Sequence, residues 1–102
     1  MSLEFEWDPA KAAFNQRKHG VSFMLAATVF GDPFLNTVRD EAHSAHEERF
    51  FSMGEAVGGR ILVVIHTFVE TGAIPSVRII TARNATRKEI NQYKENSHER
   101  YH

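Results

Sequence analysis

The chain of 102 residues has no cysteine, three prolines and a single tryptophan. Without cysteine there can be no disulfide and no thiolate metal site, a composition that fits a reducing cytoplasm. Long apolar runs are missing as well. The longest, residues 61–65, falls far short of the roughly 20 residues a membrane-spanning helix needs. Nor is there an excess of charge: 12 Lys and Arg against 13 Asp and Glu leave a formal net charge of -1. Whole-chain attraction to nucleic acid or membrane is thereby excluded, and any anion binding has to come from local clustering. The first residues carry neither the basic start nor the apolar stretch of an export signal, so a cytoplasmic chain without a membrane partner is expected. No glycine-rich phosphate loop, serine-nucleophile motif or dinucleotide fingerprint occurs, and no cofactor is expected. What remains, 42% hydrophobic and 25% charged residues, is the composition of one soluble globular domain spanning residues 1–102, with a frayed polar tail over 97–102.

The most informative stretch is 77–94. It starts as a β-branched run of strand character and turns helical at Asn84, with Thr86 and Glu89 spaced as a capping box. Between Thr71 and Lys88 lie four cations, Arg78, Arg83, Arg87 and Lys88, and no carboxylate. A helix start adds unpaired N–H groups and a partial positive charge, so this junction reads as a phosphate seat.

The rest of the chain reads as its scaffold. Leu3, Phe5 and Trp7 alternate with acidic residues as a short half-buried strand. Asp8 before Pro9 is an N-cap, Ala10, Ala13, Phe14 and Arg17 recur at helical spacing, and Gly20 is the stop. Ser22 caps a second short helix over 23–30, with Phe23, Ala26, Ala27 and Phe30 on one face. Asp32-Pro33 turns the chain, 34–40 alternates as strand, and 40–48 is a solvated acidic loop. Strands follow over 49–57 and 60–70, joined at Gly58-Gly59 by a tight hairpin, and the strand beginning at Val77 completes an antiparallel meander. A helix over 87–96 closes the chain, with Ile90 and Tyr93 inward. The order strand, helix, helix, four strands, helix makes an α+β domain with helices on an antiparallel sheet.

Several residues could carry chemistry. His66 shares a strand face with Leu62, Val64 and Phe68, where a histidine is more often a hydrogen-bonded core residue than a catalyst. His43, His46 and Glu47 have zinc-like spacing, yet nothing completes a ligand set and no metal is expected. Arg78 and Arg83 lie five apart, so a regular strand aims them at opposite faces; they share a pocket only if a bulge or the exit into the helix intervenes. Arg78 needs an anionic partner, either a carboxylate of this chain or a phosphate from outside. Trp7 is a core anchor or a stacking platform for a base.

Phe5-Glu6-Trp7-Asp8-Pro9 with Lys11, Asn15, Lys18-His19-Gly20-Val21-Ser22-Phe23, Ala26 and Val29-Phe30-Gly31-Asp32-Pro33 resembles the opening of the BrnT toxin family. Gly59-Arg60, Arg78-Ile79-Ile80-Thr81-Ala82-Arg83, Ala85-Thr86-Arg87-Lys88-Glu89 and Tyr93 resemble its end. The resemblance implies a RelE-like fold and a ribonuclease toxin of a prokaryotic type II toxin–antitoxin pair that inhibits translation. It also implies a BrnA-like antitoxin as partner, through which alone operator DNA is contacted. Cleaving RNA through its own 2′-hydroxyl needs a proton acceptor, cations for the pentavalent phosphate and a donor for the leaving oxygen. Lys18, Arg78 and Arg83 are the candidate cations and His19 the candidate proton-transfer group. Arg60 is a candidate for positioning the RNA backbone, and Arg87, Lys88 and Trp7 for binding it. A non-catalytic module that grips an acidic partner, or a toxin directed at gyrase, would use the same cationic surface. RNA cleavage on a gel and a supercoiling assay separate these readings.

Overall fold

The computed structural model describes residues 3–70 and 72–100. Its elements are β1 (Glu4–Glu6), α1 (Pro9–His19), α2 (Phe23–Ala27), a 3₁₀ turn (Thr28–Gly31), β2 (Asn36–Arg39), β3 (Phe50–Glu55), β4 (Ile61–Val69), β5 (Ser76–Asn84) and α3 (Arg87–Arg100), with a further 3₁₀ turn at Glu41–His43. The expected α+β order is present, and short-range chemistry sets the helix starts. The Asp8 carboxylate accepts the Ala10 N–H at 2.8 Å ahead of Pro9, and Ser22 Oγ accepts the Leu25 N–H at 3.0 Å. At α3 the box is reciprocal: Thr86 Oγ1 accepts the Glu89 N–H at 3.2 Å while Glu89 Oε1 accepts the Thr86 N–H at 2.8 Å. Each such cap contributes about 1 kcal/mol.

The five strands lie in the order β1-β5-β4-β3-β2. From β2 to β5 they form the antiparallel meander, but β1 pairs with β5 in parallel, Phe5 opposite Val77. The sheet is therefore mixed rather than wholly antiparallel. The chain leaves β1 through two helices and a meander before returning beside it, and only such a crossover can bring a parallel neighbour. Gly58 and Gly59, both at φ +95°, make the β3–β4 turn, a conformation side chains resist. Gly54 serves a different purpose. A Cβ there would stand 2.9 Å from Leu35 Cδ1 and 3.2 Å from Val29 Cβ, so glycine lets the 3₁₀ turn lie directly on β3.

The helical pair covers one sheet face. Val21, Phe23, Ala26 and Val29 meet Leu62, Val64, Val77, Ile79 and Ala82, all buried, with Phe5 and Trp7 packed against them. Each such branched or aromatic side chain contributes about 1.5–3 kcal/mol. Three boundaries and faces differ from expectation. On α1 the buried residue is Asn15, whereas Phe14 is 57% exposed. The second helix becomes a 3₁₀ turn after Ala27, which buries Val29. The last helix runs past Asn96 to Arg100, because neither glycine nor proline stops it; the two final residues of the expected tail, Tyr101 and His102, lie outside the described residues.

Candidate functional site

The strand–helix junction is built around an irregularity. Ile65 pairs with Thr81 and His66 with Ile79, so Ile80 is an extra residue in β5. The buried positions change parity across it, from Val77 and Ile79 to Ala82. Arg78 and Arg83 consequently share the sheet face opposite the helical pair, the condition under which they could act together.

Both arginines already have carboxylates. Arg78 lies 3.7 Å from Glu6 Oε2 and 3.6 Å from Glu47 Oε2, exposed pairs worth about 0–1 kcal/mol. Arg83 grips Glu89 with both arms, Nη1 to Oε1 at 2.8 Å and Nη2 to Oε2 at 3.0 Å. Those hydrogen bonds outweigh burial and, with the Thr86 N–H, hold the Glu89 carboxyl down to about 2; Arg83 is raised in turn. Strand end, cap and helix start are thus clasped by one carboxylate. Arg83 also borders a shallow pocket of about 370 Å³ with Val38, Phe51 and Met53.

At the end of the sheet, between the β3–β4 turn, the β5 exit and α3, lies a larger cleft of about 810 Å³. Its walls include Phe34, Glu55, Arg60, Asn84, Tyr93 and Lys94. Arg60 is held by neutral oxygens only. Its Nε and Nη2 donate to Asn84 Oδ1 at 3.1 and 2.8 Å, and Nη2 also reaches the Gly20 carbonyl at 3.3 Å. Among the described residues no carboxylate lies within 4.0 Å of it. A guanidinium oriented in this way keeps its whole charge and its Nη1 donors for a ligand.

The same network reaches α1. Asn84 Nδ2 lies 3.5 Å from the His19 carbonyl, a long contact, and Asn15 supplies the firm one. The Asn15 amide donates to the Val21 and Ala82 carbonyls at 3.0 and 2.8 Å and accepts the Ala82 N–H at 3.1 Å. These bonds fix the C-terminal turn of α1, with Lys18 and His19, against the β5 exit. On the far side of the cleft Tyr93 is anchored by its hydroxyl, which donates to Asp32 Oδ2. Burial, then that hydrogen bond and the charges of Asp32 and Glu55, push the phenol well above its ordinary range. The Asp32 carboxylate also accepts the N–H groups of Phe34 and Glu55, at 2.8 and 2.7 Å.

The expected site residues therefore fall into groups. Arg60 and the backbone carbonyl of His19 meet at Asn84, and Lys18 precedes His19 on the last turn of α1; Arg78 and Arg83 occupy the sheet face opposite the helical pair; Arg87 and Lys88 stand exposed on the first turn of α3. The Lys18 ammonium lies 5.9 Å from the Phe14 ring centre. Trp7 is half-buried and edge-on to Phe23 at 5.9 Å, a core contact. His66 is fully buried, with Nε2 at 2.7 Å from Ser52 Oγ and its ring between Phe30, Phe50 and Phe68. Burial pushes it down to about 4. Among the described residues no group of three His, Asp or Glu is placed to hold a metal. Sequence reasoning gave Asn15, Asn84 and Glu55 no role in the site, because the tertiary partners of their amides and carboxylate are not visible in the chain. Asp32 was visible only as half of an Asp-Pro turn.

The family model of the ribonuclease toxin BrnT of type II toxin–antitoxin systems matches residues 7–89. Among solved structures, the crystal structure of the Brucella abortus ribonuclease toxin BrnT is similar, with a TM-score of 0.63 and 24% identity over 84% of this chain and 100% of that one. At that identity the likeness speaks for the fold. No curated protein matches the chain.

Proposed function

This chain belongs to the BrnT family of ribonuclease toxins of type II toxin–antitoxin systems, with a RelE-like fold, and on that premise we propose that it cleaves RNA at a phosphodiester seated on Arg60. The observation that carries this reading is the guanidinium held by Asn84 and Gly20 oxygens, with no carboxylate within 4.0 Å among the described residues. An arginine fixed before the substrate arrives stabilises the charge that builds on a pentavalent phosphate without having to reorganise. Lys94 adds positive charge on the cleft wall, Lys18 contributes a further cation from the end of α1, and Arg87 and Lys88 extend the charge along the RNA backbone.

In the proposed reaction His19 accepts the proton of the ribose 2′-hydroxyl. The 2′-oxygen attacks phosphorus, the bond from phosphorus to the 5′-oxygen breaks, and the products are a 2′,3′-cyclic phosphate and a 5′-hydroxyl. Water in the open cleft supplies the proton that the 5′-oxygen takes up. No divalent ion takes part in this scheme, so purified protein is expected to cleave RNA in excess EDTA. Loss of all cleavage in chelator, with recovery on adding a divalent ion, overturns the scheme. His19→Ala is expected to lower the rate about 10²–10⁴-fold with an unchanged melting temperature.

Inhibition of translation follows from RNA cleavage, and a cognate BrnA-like antitoxin neutralises it by covering the Arg60 seat with an acidic segment. Association should accelerate at low salt and slow in Arg60→Gln. A rate indifferent to both would place the antitoxin elsewhere. A second seat, on the open sheet face, is favoured by the bulge at Ile80, which turns Arg78 and Arg83 to one side.

A further inference from the structure

The cleft that holds Arg60 has a second charged wall of the opposite sign. Glu55 lines it at the end of β3, where it pairs with Ile61, the residue that follows Arg60. The two carboxylates of this region differ in what engages them. Asp32 accepts the Tyr93 hydroxyl and the N–H groups of Phe34 and Glu55. The Glu55 carboxylate, by contrast, has neither a hydrogen bond nor an ion pair within the described residues, although Arg60 and Lys94 line the same cleft. The same cleft has apolar lining from Ile61, Ile90 and the rings of Phe34 and Tyr93.

A simple anion would engage only the Arg60 side of such a cleft and leave Glu55 without a partner. A nucleotide engages both. Its phosphate meets Arg60, and its base lies flat against the apolar wall with its edge at Glu55, as single-stranded RNA is commonly read by stacking together with hydrogen bonds to base edges. A carboxylate accepts and cannot donate, so it selects a base edge made of donors. Guanine presents two adjacent ones, N1–H and N2–H, matching the two carboxylate oxygens. Adenine and cytosine offer a single amino group beside an acceptor, and uracil a single N–H flanked by carbonyls.

We infer that the cleft is a base-specific nucleotide subsite, in which Glu55 reads the Watson–Crick edge of a guanine whose 3′-phosphate is the one held by Arg60. This rests on the ribonuclease reading for its biological use, though not for its measurement. A bidentate contact of this kind discriminates between bases by roughly ten- to a hundredfold.

The test is binding of guanosine, adenosine, cytidine and uridine 3′-monophosphates to the full chain in EDTA, followed by titration calorimetry and by amide shifts at Glu55, Arg60 and Asn84. Guanosine monophosphate is expected to bind at least about tenfold more tightly than the others. Glu55→Gln should abolish the preference with an unchanged melting temperature, since the side chain is exposed and the Glu55 N–H contact to Asp32 belongs to the backbone. Equal binding of all four nucleotides overturns the inference, as does a guanine preference that survives both Glu55→Gln and Glu55→Ala. Mapping of cleavage sites separates the two claims. Cuts without base preference sink the subsite and leave the ribonuclease standing, whereas guanine-selective binding without any cleavage does the reverse.

Discussion

The open face of the sheet and the cleft at its end both carry arginines, and they differ in what sits beside the charge. Arg78 and Arg83 have carboxylates, Glu6 and Glu47 for one and Glu89 for the other. Arg60 has an amide oxygen and a carbonyl. Where a cation is paired its field is already used to hold elements together; where it is held by neutral acceptors the position is fixed and the field remains. A count of charges along a window of sequence cannot tell these apart, since Glu89 lies one residue past the cationic stretch and Glu6 and Glu47 arrive from elsewhere in the fold.

The largest effect that could break this comparison is on cleavage. Arg60→Gln should lower the rate about 10²–10³-fold while leaving the melting temperature nearly unchanged, as measured on a defined RNA alongside thermal unfolding. If Arg83→Gln lowers the rate that far at an equal population of folded protein and Arg60→Gln does not, the seat is on the open face. Next in size is His66→Ala. Deleting a fully buried ring from among Phe30, Phe50 and Phe68 should cost about 2–4 kcal/mol in denaturant unfolding, with cleavage per folded molecule retained.

Acid should separate the core from the clasp. The His66 imidazole is pushed down to about 4 from 6.5, so its contribution is complete above pH 6.5 and is lost as the pH falls toward 4, by roughly 3 kcal/mol. Glu89 is held at about 2 against 4.5, so the clasp keeps its contribution above pH 4.5 and loses it as the pH falls toward 2. Solvent screening limits that second loss to about 1 kcal/mol, because the Arg83 side chain is 37% exposed. Stability measured from pH 7 to 2 should therefore fall in two stages, the first absent in a folded His66→Leu variant and the second in Arg83→Ala. The smallest effect belongs to Arg78→Gln, within about 1 kcal/mol by denaturant unfolding, because its ion pairs are long and wet.

Much of the fold was legible because it is written in local chemistry. Asp8-Pro9, Ser22, the Thr86 and Glu89 box and the Gly58-Gly59 turn act on backbone within a few residues, so their consequences needed no tertiary knowledge. The face of α1 was illegible for a physical reason: the helix docks onto a strand through a polar amide, and a count of apolar spacings therefore missed Asn15. The parallel seat of β1 was likewise hidden, since it depends on where the meander ends. Of the site, the cations could be named and their partners could not. Arg83 reads in the sequence as one of four cations in a stretch without a carboxylate, and its engagement with Glu89 appears only once β5 and α3 meet.

The bonds from Asn15 to Ala82 also bear on how copies of this chain behave toward one another. β1 is paired with β5 only over Ser76, Val77 and Arg78, so the later length of β5 has an open side. An exposed row of N–H and C=O groups is a template on which a strand of another molecule can be added. The Asn15 amide fills that place with one donor and one acceptor, imitating a single residue of a neighbouring strand. It satisfies the Ala82 N–H and C=O at that edge without adding a strand.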